Sequence, residues 1–129
     1  MDDRALIAEA SAARANAYAP YSRFPVGAAL LARSGVVYRG VNVENASFGI
    51  TICAERAALF AAVSAGEREF DAVAIVADTT GPVRPCGACR QALAEFGVGL
   101  RIVMANTAGE SETRTLEALL PAGFRFEKK

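Results

Sequence analysis

The sequence of 129 residues contains no histidine, and this absence limits its chemistry more than any other compositional feature. Without imidazole the chain cannot form a Ser-His-Asp or Cys-His catalytic pair, or a metal site that requires a histidine ligand. The chain also has no net charge, because fourteen basic residues balance fourteen acidic ones. Nucleic-acid-binding domains normally have a positive surplus, so we expect no nucleic-acid partner.

Long apolar runs are missing as well. No segment approaches the ~18 consecutive apolar residues of a membrane span. The start, Met1–Arg4, is acidic and lacks the basic and apolar regions of a signal peptide. We therefore expect a cytoplasmic protein with no membrane partner. With 53% apolar and 22% charged residues, the chain has the composition of one globular domain over 1–129 with one core.

The apolar periodicity predicts alternating helices and strands. A hairpin is predicted around Ser34-Gly35, and a polar loop over Asn45–Ile52. Helices that alternate with strands in the second half require right-handed crossovers. The predicted fold is therefore a three-layer α/β/α sandwich with a mixed five-stranded sheet. The predicted helices are 2–18, 53–65, 86–96 and 115–120, and the predicted strands are 26–33, 36–43, 71–77, 100–105 and 113–115.

The chain has few cysteines, namely Cys53, Cys86 and Cys89. Their odd number fits a reducing compartment and argues against a disulfide framework. The simplest interpretation is three small buried hydrophobic side chains. Their spacing favours a metal site, since Cys86 and Cys89 lie three residues apart at one helix start and Cys53 begins another helix. Three thiolates leave a fourth tetrahedral position open, which is typical of a catalytic zinc site.

Two charged residues, Glu55 and Arg56, follow Cys53 after one intervening alanine. Glu55 in the first turn of that helix is either an ordinary acid favoured by the helix dipole or a proton shuttle beside the metal. Because three thiolates make the zinc site anionic, a carboxylate is needed to move protons there. Arg56 is either a surface residue or a donor of hydrogen bonds to the cysteine sulfurs, in the second shell of the zinc.

These segments resemble a known enzyme family. Cys53-Ala54-Glu55 followed by Pro85-Cys86-Gly87-Ala88-Cys89 is similar to the signature of the zinc nucleoside and nucleobase deaminases. The segments 24–29 (FPVGAA) and 42–47 (NVENAS) resemble the short homotetrameric, all-cysteine cytidine deaminases in particular. The resemblance extends from about Tyr18 to Phe124, nearly the whole chain.

The resemblance implies a role for each matching residue. Glu55 would be the catalytic residue, and one Zn²⁺ per chain would be the cofactor. Considered alone, Asn42 and Glu44 are strand-end turn formers and Phe24 a core residue. The roles that the resemblance implies are zinc ligation by Cys53, Cys86 and Cys89, ribose binding by Asn42 and Glu44, substrate contact by Phe24 and Ala54, and closure of a neighbouring subunit's pocket by Ala46, Phe48 and Phe124, with Phe126 as a second choice.

The implied activity is hydrolytic deamination of cytidine and 2′-deoxycytidine to uridine and 2′-deoxyuridine plus ammonia, in pyrimidine salvage. Such an enzyme is a hydrolase that acts on the C–N bond of a cyclic amidine. Two alternatives stay open: a deaminase of another aminopyrimidine nucleoside such as blasticidin S, and a zinc domain without turnover. A polynucleotide deaminase is disfavoured, because a neutral chain offers no surface that follows phosphates.

The sequence also predicts an oligomer, most simply a homotetramer. The only charged residues of the helix over 53–65 are Glu55 and Arg56, both assigned to the site, so no solvated face remains. The segment 119–126 (LLPAGFRF) is likewise apolar and has no place in the predicted core. Neighbouring chains are the natural cover for both surfaces.

Overall fold

The computed structural model describes residues 1–127 as alternating helices and strands. Asp2 is the N-cap of the first helix, and its carboxylate accepts from the Ala5 N–H at 2.8 Å. Cys53 and Cys86 are the N-caps of the second and third helices, so the two cysteine-containing segments lie at helix starts as predicted. In chain order the elements are α1 (Asp3–Arg14), β1 (Val26–Ala32), β2 (Val37–Val41), α2 (Ala54–Ser64), β3 (Phe70–Ala77), α3 (Gly87–Ala94), β4 (Arg101–Asn106), β5 (Ser111–Thr115) and α4 (Leu116–Leu119).

The five strands form one mixed sheet in the order β2-β1-β3-β4-β5. Strands β3 and β4 are parallel, and the other neighbouring pairs are antiparallel. The parallel pair is joined through α3, as expected for a crossover connection. The predicted mixed five-stranded sheet is confirmed.

Helices cover both faces of the sheet. Helix α1 packs on one face, where Leu6 and Ala10 meet alternate residues of β1, β3 and β4. Helices α2, α3 and α4 cover the other face, where Ala58 and Leu93 join the larger cluster of buried residues. The predicted three-layer arrangement is therefore confirmed, and α2 and α3 share one face.

Glycines let two helices approach the sheet closely. A Cβ on Gly40 of β2 would lie 2.3 Å from the Ala54 carbonyl oxygen at the start of α2. A Cβ on Gly27 of β1 would lie 2.1 Å from the Ala10 carbonyl oxygen in α1. Only a residue without a side chain fits at either position. Gly40 thus sets the distance between the sheet and the helix that begins at Cys53.

Several predicted boundaries are wrong, most of them by one or two residues. Helix α1 ends at Arg14 rather than at residue 18, because the Tyr18 N–H instead donates to the Asn42 carbonyl at 3.0 Å. Helix α3 ends at Ala94, ahead of Gly97, whose φ is +124°. The loop over 45–52 contains a 3₁₀ turn at Phe48–Ile50. Strand β5 is longer than predicted, because it pairs along most of β4.

No helix within residues 1–127 is both long and apolar enough to cross a membrane.

Candidate active site

The three cysteines lie together, although Cys53 is far from the other two in sequence. Their Sγ atoms all lie within 4.8 Å of one another, and those of Cys53 and Cys86 are 3.8 Å apart. Cys53 and Cys86 are the N-caps of α2 and α3, and Cys89 lies one turn into α3. The positive ends of two helix dipoles therefore meet at the sulfur atoms and stabilise thiolates.

The donor set fits a zinc ion. A Zn–S bond of about 2.3 Å in tetrahedral geometry places two sulfurs about 3.8 Å apart, which matches the separation of Cys53 and Cys86. The interpretation of three buried hydrophobic side chains is wrong, because Cys86 is exposed and Cys53 half-buried. Within the described residues the cluster holds three thiols, so a fourth tetrahedral position is left for a non-protein ligand.

Hydrogen bonds within the cluster favour ionisation of Cys53. The Cys89 thiol and the Arg56 guanidinium hydrogen-bond to its sulfur and lower the pKa of Cys53 to about 5. The hydrogen bond to Cys53, together with burial, raises the pKa of Cys89. A metal ion would bind these sulfurs as thiolates, so its binding would release any protons that they carry.

Arg56 lies against the sulfur cluster rather than on a free surface. One guanidinium nitrogen, Nη2, donates to Cys53 Sγ at 3.4 Å. Its Nε is buried and has no hydrogen-bond partner within the described part of the chain. The guanidinium therefore places a permanent positive charge beside an anionic ligand set.

Glu55 is buried, with 4% of its surface exposed. It is the second residue of α2, directly after the N-cap turn that contains Cys53. Burial, with a smaller contribution from the Cys53 thiolate, raises the pKa of the Glu55 carboxyl above its ordinary value. An ordinary acid that only interacts with the helix dipole is expected at the surface, and Glu55 is not there. A carboxyl with a raised pKa is suited to proton transfer near neutral pH.

A cavity of about 220 Å³ opens beside the cluster. Its wall includes Cys53, Cys86 and Glu55, so the sulfur cluster and the buried carboxylate border the same space. The residues for which substrate contact is predicted, Phe24, Asn42, Glu44 and Ala54, also line it. Seven lining residues were not predicted as site residues, namely Ser22, Val26, Thr51, Ile52, Ile75, Val83 and Arg84. Arg84 precedes the Pro85–Cys89 motif directly, which is a signal that could have identified it.

Asn42 joins the cavity wall to the start of β1. Its Oδ1 accepts from the Val26 N–H at 2.9 Å, and its Nδ2 donates to the Phe24 carbonyl at 2.8 Å. The Phe24 ring is 38% exposed, so its interpretation as a core residue is wrong. Asn42 therefore fixes the backbone that presents the Phe24 ring to the cavity.

Glu44 binds the loop that precedes Phe24. Its Oε1 accepts from the N–H groups of Tyr21 and Ser22 at 2.9 and 3.0 Å, and its Oε2 accepts from the Ser22 hydroxyl. These hydrogen bonds, that of the Ser22 hydroxyl above all, hold the pKa of the Glu44 carboxyl below its usual value. Glu44 therefore stays ionised at the edge of the cavity.

The residues expected at a neighbouring subunit's pocket lie outside this cavity. Ala46 and Phe48 are exposed, and Phe48 packs edge-to-face against Tyr21 with ring centroids 5.5 Å apart. Phe124 and Phe126 are 71% and 84% exposed. Their contact with another subunit stays a prediction.

Comparison with known proteins gives consistent matches. Residues 1–105 match the family model described as the cytidine and deoxycytidylate deaminase zinc-binding region. A cytidine deaminase of Sporosarcina psychrophila is 55% identical over 128 residues, which cover 98% of this chain and 94% of the relative. One of Halalkalibacterium halodurans is 53% identical over 128 residues, covering 98% and 97%.

The fold comparison agrees with the sequence comparison. The crystal structure of a cytidine deaminase from Burkholderia pseudomallei superposes with a TM-score of 0.94 at 52% identity, covering 96% of this chain and all of that one. The family model alone spans most of the chain, including all three cysteines. This chain therefore belongs to the family of cytidine and deoxycytidylate deaminases that is defined by this zinc-binding region.

Proposed function

We propose that the protein catalyses the hydrolytic deamination of cytidine and 2′-deoxycytidine, releasing uridine or 2′-deoxyuridine and ammonia. The observation that supports this most is the shared cavity, which brings a three-thiol cluster and a buried carboxylate next to an aromatic ring and polar side chains. The relatives named above are cytidine deaminases, and they match this chain over nearly its full length.

Cys53, Cys86 and Cys89 would hold the zinc ion that gives the family's domain its description. When bound, zinc supplies a Lewis acid that turns water into a nucleophile at neutral pH. Arg56, by donating to Cys53 Sγ, withdraws negative charge from the thiolates. It would thereby keep the ligand set from weakening the Lewis acid.

Glu55 would move both protons of the reaction. In this proposal its carboxylate takes a proton from water and delivers it to ring N3 of the cytosine. The oxygen of that water bonds to C4, its second proton passes through the same carboxyl to the amino group on C4, and the C–N bond breaks to release ammonia. The raised pKa of Glu55 supports both roles, because the group has to act first as a base and then as an acid.

The remaining cavity residues would hold the substrate. The exposed face of Phe24 suits a flat pyrimidine, and the backbone at Ala54 borders the same space. The ionised Glu44 can accept hydrogen bonds from ribose hydroxyls, and the Asn42 amide can both donate and accept. Because Glu44 also binds the loop before Phe24, ribose and base recognition would be linked through one carboxylate.

We further propose that the working enzyme is a homotetramer. Phe60 on α2 is 48% exposed and Ile50 is 67% exposed, which leaves apolar surface on the isolated chain. Phe48 and Phe124 add to this surface and are the side chains proposed to reach a neighbouring pocket. Burying such patches between copies of the chain is the usual solution.

The proposed physiological role is pyrimidine salvage in the cytoplasm. Salvage follows from the substrate class, since the reaction converts one free nucleoside into another. The compartment follows from the metal cluster, because its three unpaired thiols would persist best under reducing conditions.

A direct assay tests the proposed activity. Zinc-loaded protein should remove the cytosine absorbance band of cytidine and of 2′-deoxycytidine, with ammonia released in equal amount. The Glu55→Gln variant should retain zinc and fold but lose several orders of magnitude in kcat, because both proton transfers fail. A zinc-loaded parent that leaves both nucleosides unchanged would refute the proposal. Loss of zinc from Glu55→Gln would mean that Glu55 is a ligand instead.

A further inference from the structure

The loop between β3 and α3, residues 78–86, connects the sheet to the metal cluster. It ends at Cys86, and Val83 and Arg84 within it line the cavity. Pro82 and Pro85 have no N–H group, so this loop has fewer backbone donors with which to stabilise itself. Besides the internal hydrogen bond from the Thr79 hydroxyl to the Gly81 carbonyl, side chains from outside the loop bind its backbone carbonyls.

One such group is Asn106, the last residue of β4, which is 4% exposed. Its Nδ2 donates to the carbonyls of Thr79 and Thr80 at 3.0 and 3.3 Å, and to Glu110 Oε1 at 3.0 Å. Its Oδ1 accepts from the N–H groups of Ala108 and Glu110 at 3.1 and 2.9 Å. A single buried amide thus joins the first residues of the loop to the turn after β4.

The second group is Arg90, in α3. Its Nε donates to the Pro85 carbonyl at 2.9 Å, and its Nη1 donates to the Leu119 carbonyl at 2.7 Å. Pro85 is buried and directly precedes Cys86. The guanidinium therefore holds the last residue before the proposed ligand against the end of α4.

We infer that Asn106 and Arg90 are positioning residues that fix the two ends of the 78–86 loop and thereby hold Cys86 in the metal cluster. Neither residue touches a sulfur atom through its side chain in the contacts described above. Each acts on backbone carbonyls, whose displacement would move Cys86 Sγ away from Cys53. This inference rests on the proposed zinc site but is independent of the proposed substrate.

The experiment measures how fast zinc leaves the protein. Zinc-loaded parent and variants are mixed with an excess of a chelating indicator dye, and the rate of colour development is recorded. Asn106→Asp places a carboxylate oxygen against the Thr79 and Thr80 carbonyls, and Arg90→Met removes both donors at similar length. Each variant should release zinc about tenfold faster than the parent, the lower end of the effect expected for supports of a metal ligand.

A matched control separates positioning from general stability. Val103→Ala creates a cavity in β4 on the face that packs against α1, away from the site. It should lower the Tm while zinc leaves at the parental rate. Arg90→Lys, which retains one donor of the guanidinium fork, should lie between parent and Arg90→Met. If Asn106→Asp does not fold, Asn106→Ser removes the same donors with less repulsion.

Two results would overturn the inference. One is parental zinc release from both the Asn106 and the Arg90 variants. The other is zinc release from Val103→Ala that is accelerated as much as in the Asn106 and Arg90 variants, when the loss of Tm is equal. If zinc release accelerates as expected while the parent leaves cytidine unchanged, the inference stands and the proposed function fails. A parent chain that binds no zinc would refute both.

Discussion

Replacing Gly40 by alanine tests whether the contact between β2 and α2 holds the site together. A Cβ at this position would lie 2.3 Å from the Ala54 carbonyl oxygen and 2.4 Å from the Ala58 backbone nitrogen. Ordinary contacts between such atoms are about 3.5 Å, so the start of α2 must retreat by about 1 Å. All the clashing atoms belong to helix backbone, and no side-chain rotation can relieve them.

The expected cost combines lost stability with a displaced site. Overpacking of this kind costs about 1–3 kcal/mol. For a domain of this size that lowers the Tm by roughly 5–10 °C. Because Cys53 and Glu55 belong to the same first turn, the shift also moves one proposed ligand relative to Cys86. We expect faster zinc release and a fall in kcat that exceeds the loss of folded protein.

Two other glycines provide the controls. Gly27→Ala produces a similar clash, 2.1 Å from the Ala10 carbonyl oxygen, but displaces α1 on the opposite face. It should lower the Tm without changing zinc release or kcat per folded molecule. A Cβ on Gly99 would meet no heavy atom within 4 Å in the described part of the chain. Gly99→Ala should therefore leave the Tm, the rate of zinc release and kcat unchanged. Parental Tm and zinc release in Gly40→Ala, measured by calorimetry and chelator titration, would refute the reasoning.

Three further predictions concern other parts of the site. Arg56→Ala should lower kcat about tenfold with little change in KM, because the Cys53 thiolate loses its cationic donor; an unchanged rate would show that this contact does not affect catalysis. Ser22→Ala removes the main cause of the lowered pKa of Glu44. Since a lowered pKa keeps the group ionised until the pH falls through it, KM for cytidine should begin to rise at a higher pH in Ser22→Ala than in the parent, measured between about pH 4 and 7. Deleting residues 124–129 should raise KM and weaken assembly at unchanged zinc content, and a fully active monomeric parent, identified by light scattering, would contradict it.

Residues close together in sequence allowed the more successful predictions. Cys86 and Cys89 are three residues apart at a helix start, so helix geometry alone places them on one face. Strands β3 and β4 are continuous apolar runs, as expected for a buried parallel pair. Gly66 and Gly97, each with a positive φ, follow the ends of α2 and α3 within three residues, as is common at helix ends. Such signals act over one or two helical turns, and the sequence displays them directly.

The ends of helices and strands that depend on hydrogen bonds to residues distant in sequence could not be predicted in the same way. The apolar spacing of α1 continues to Ala17, yet the Tyr18 backbone bonds to residues 42 and 44, beside β2. Strand β5 is polar and mostly exposed, and it exists because β4 offers it a partner. Phe24 is an apolar residue expected in the core, and the side chains of Asn42 and Ser22 bind its backbone carbonyl and N–H beside the cavity. In each case a residue distant in sequence decides the outcome.

Residue identity and local spacing are enough to predict an all-cysteine metal motif, a carboxylate close to it and the absence of histidine chemistry. The contact between Cys53 and Cys86 across 33 residues, the burial of Glu55 and the hydrogen bonds from Asn106 and Arg90 to the 78–86 loop are visible in the folded chain and not in the sequence. Burial and long-range hydrogen bonds belong to the packed chain. The free energy that moves a pKa or fixes a loop arises from neighbours that packing alone brings together.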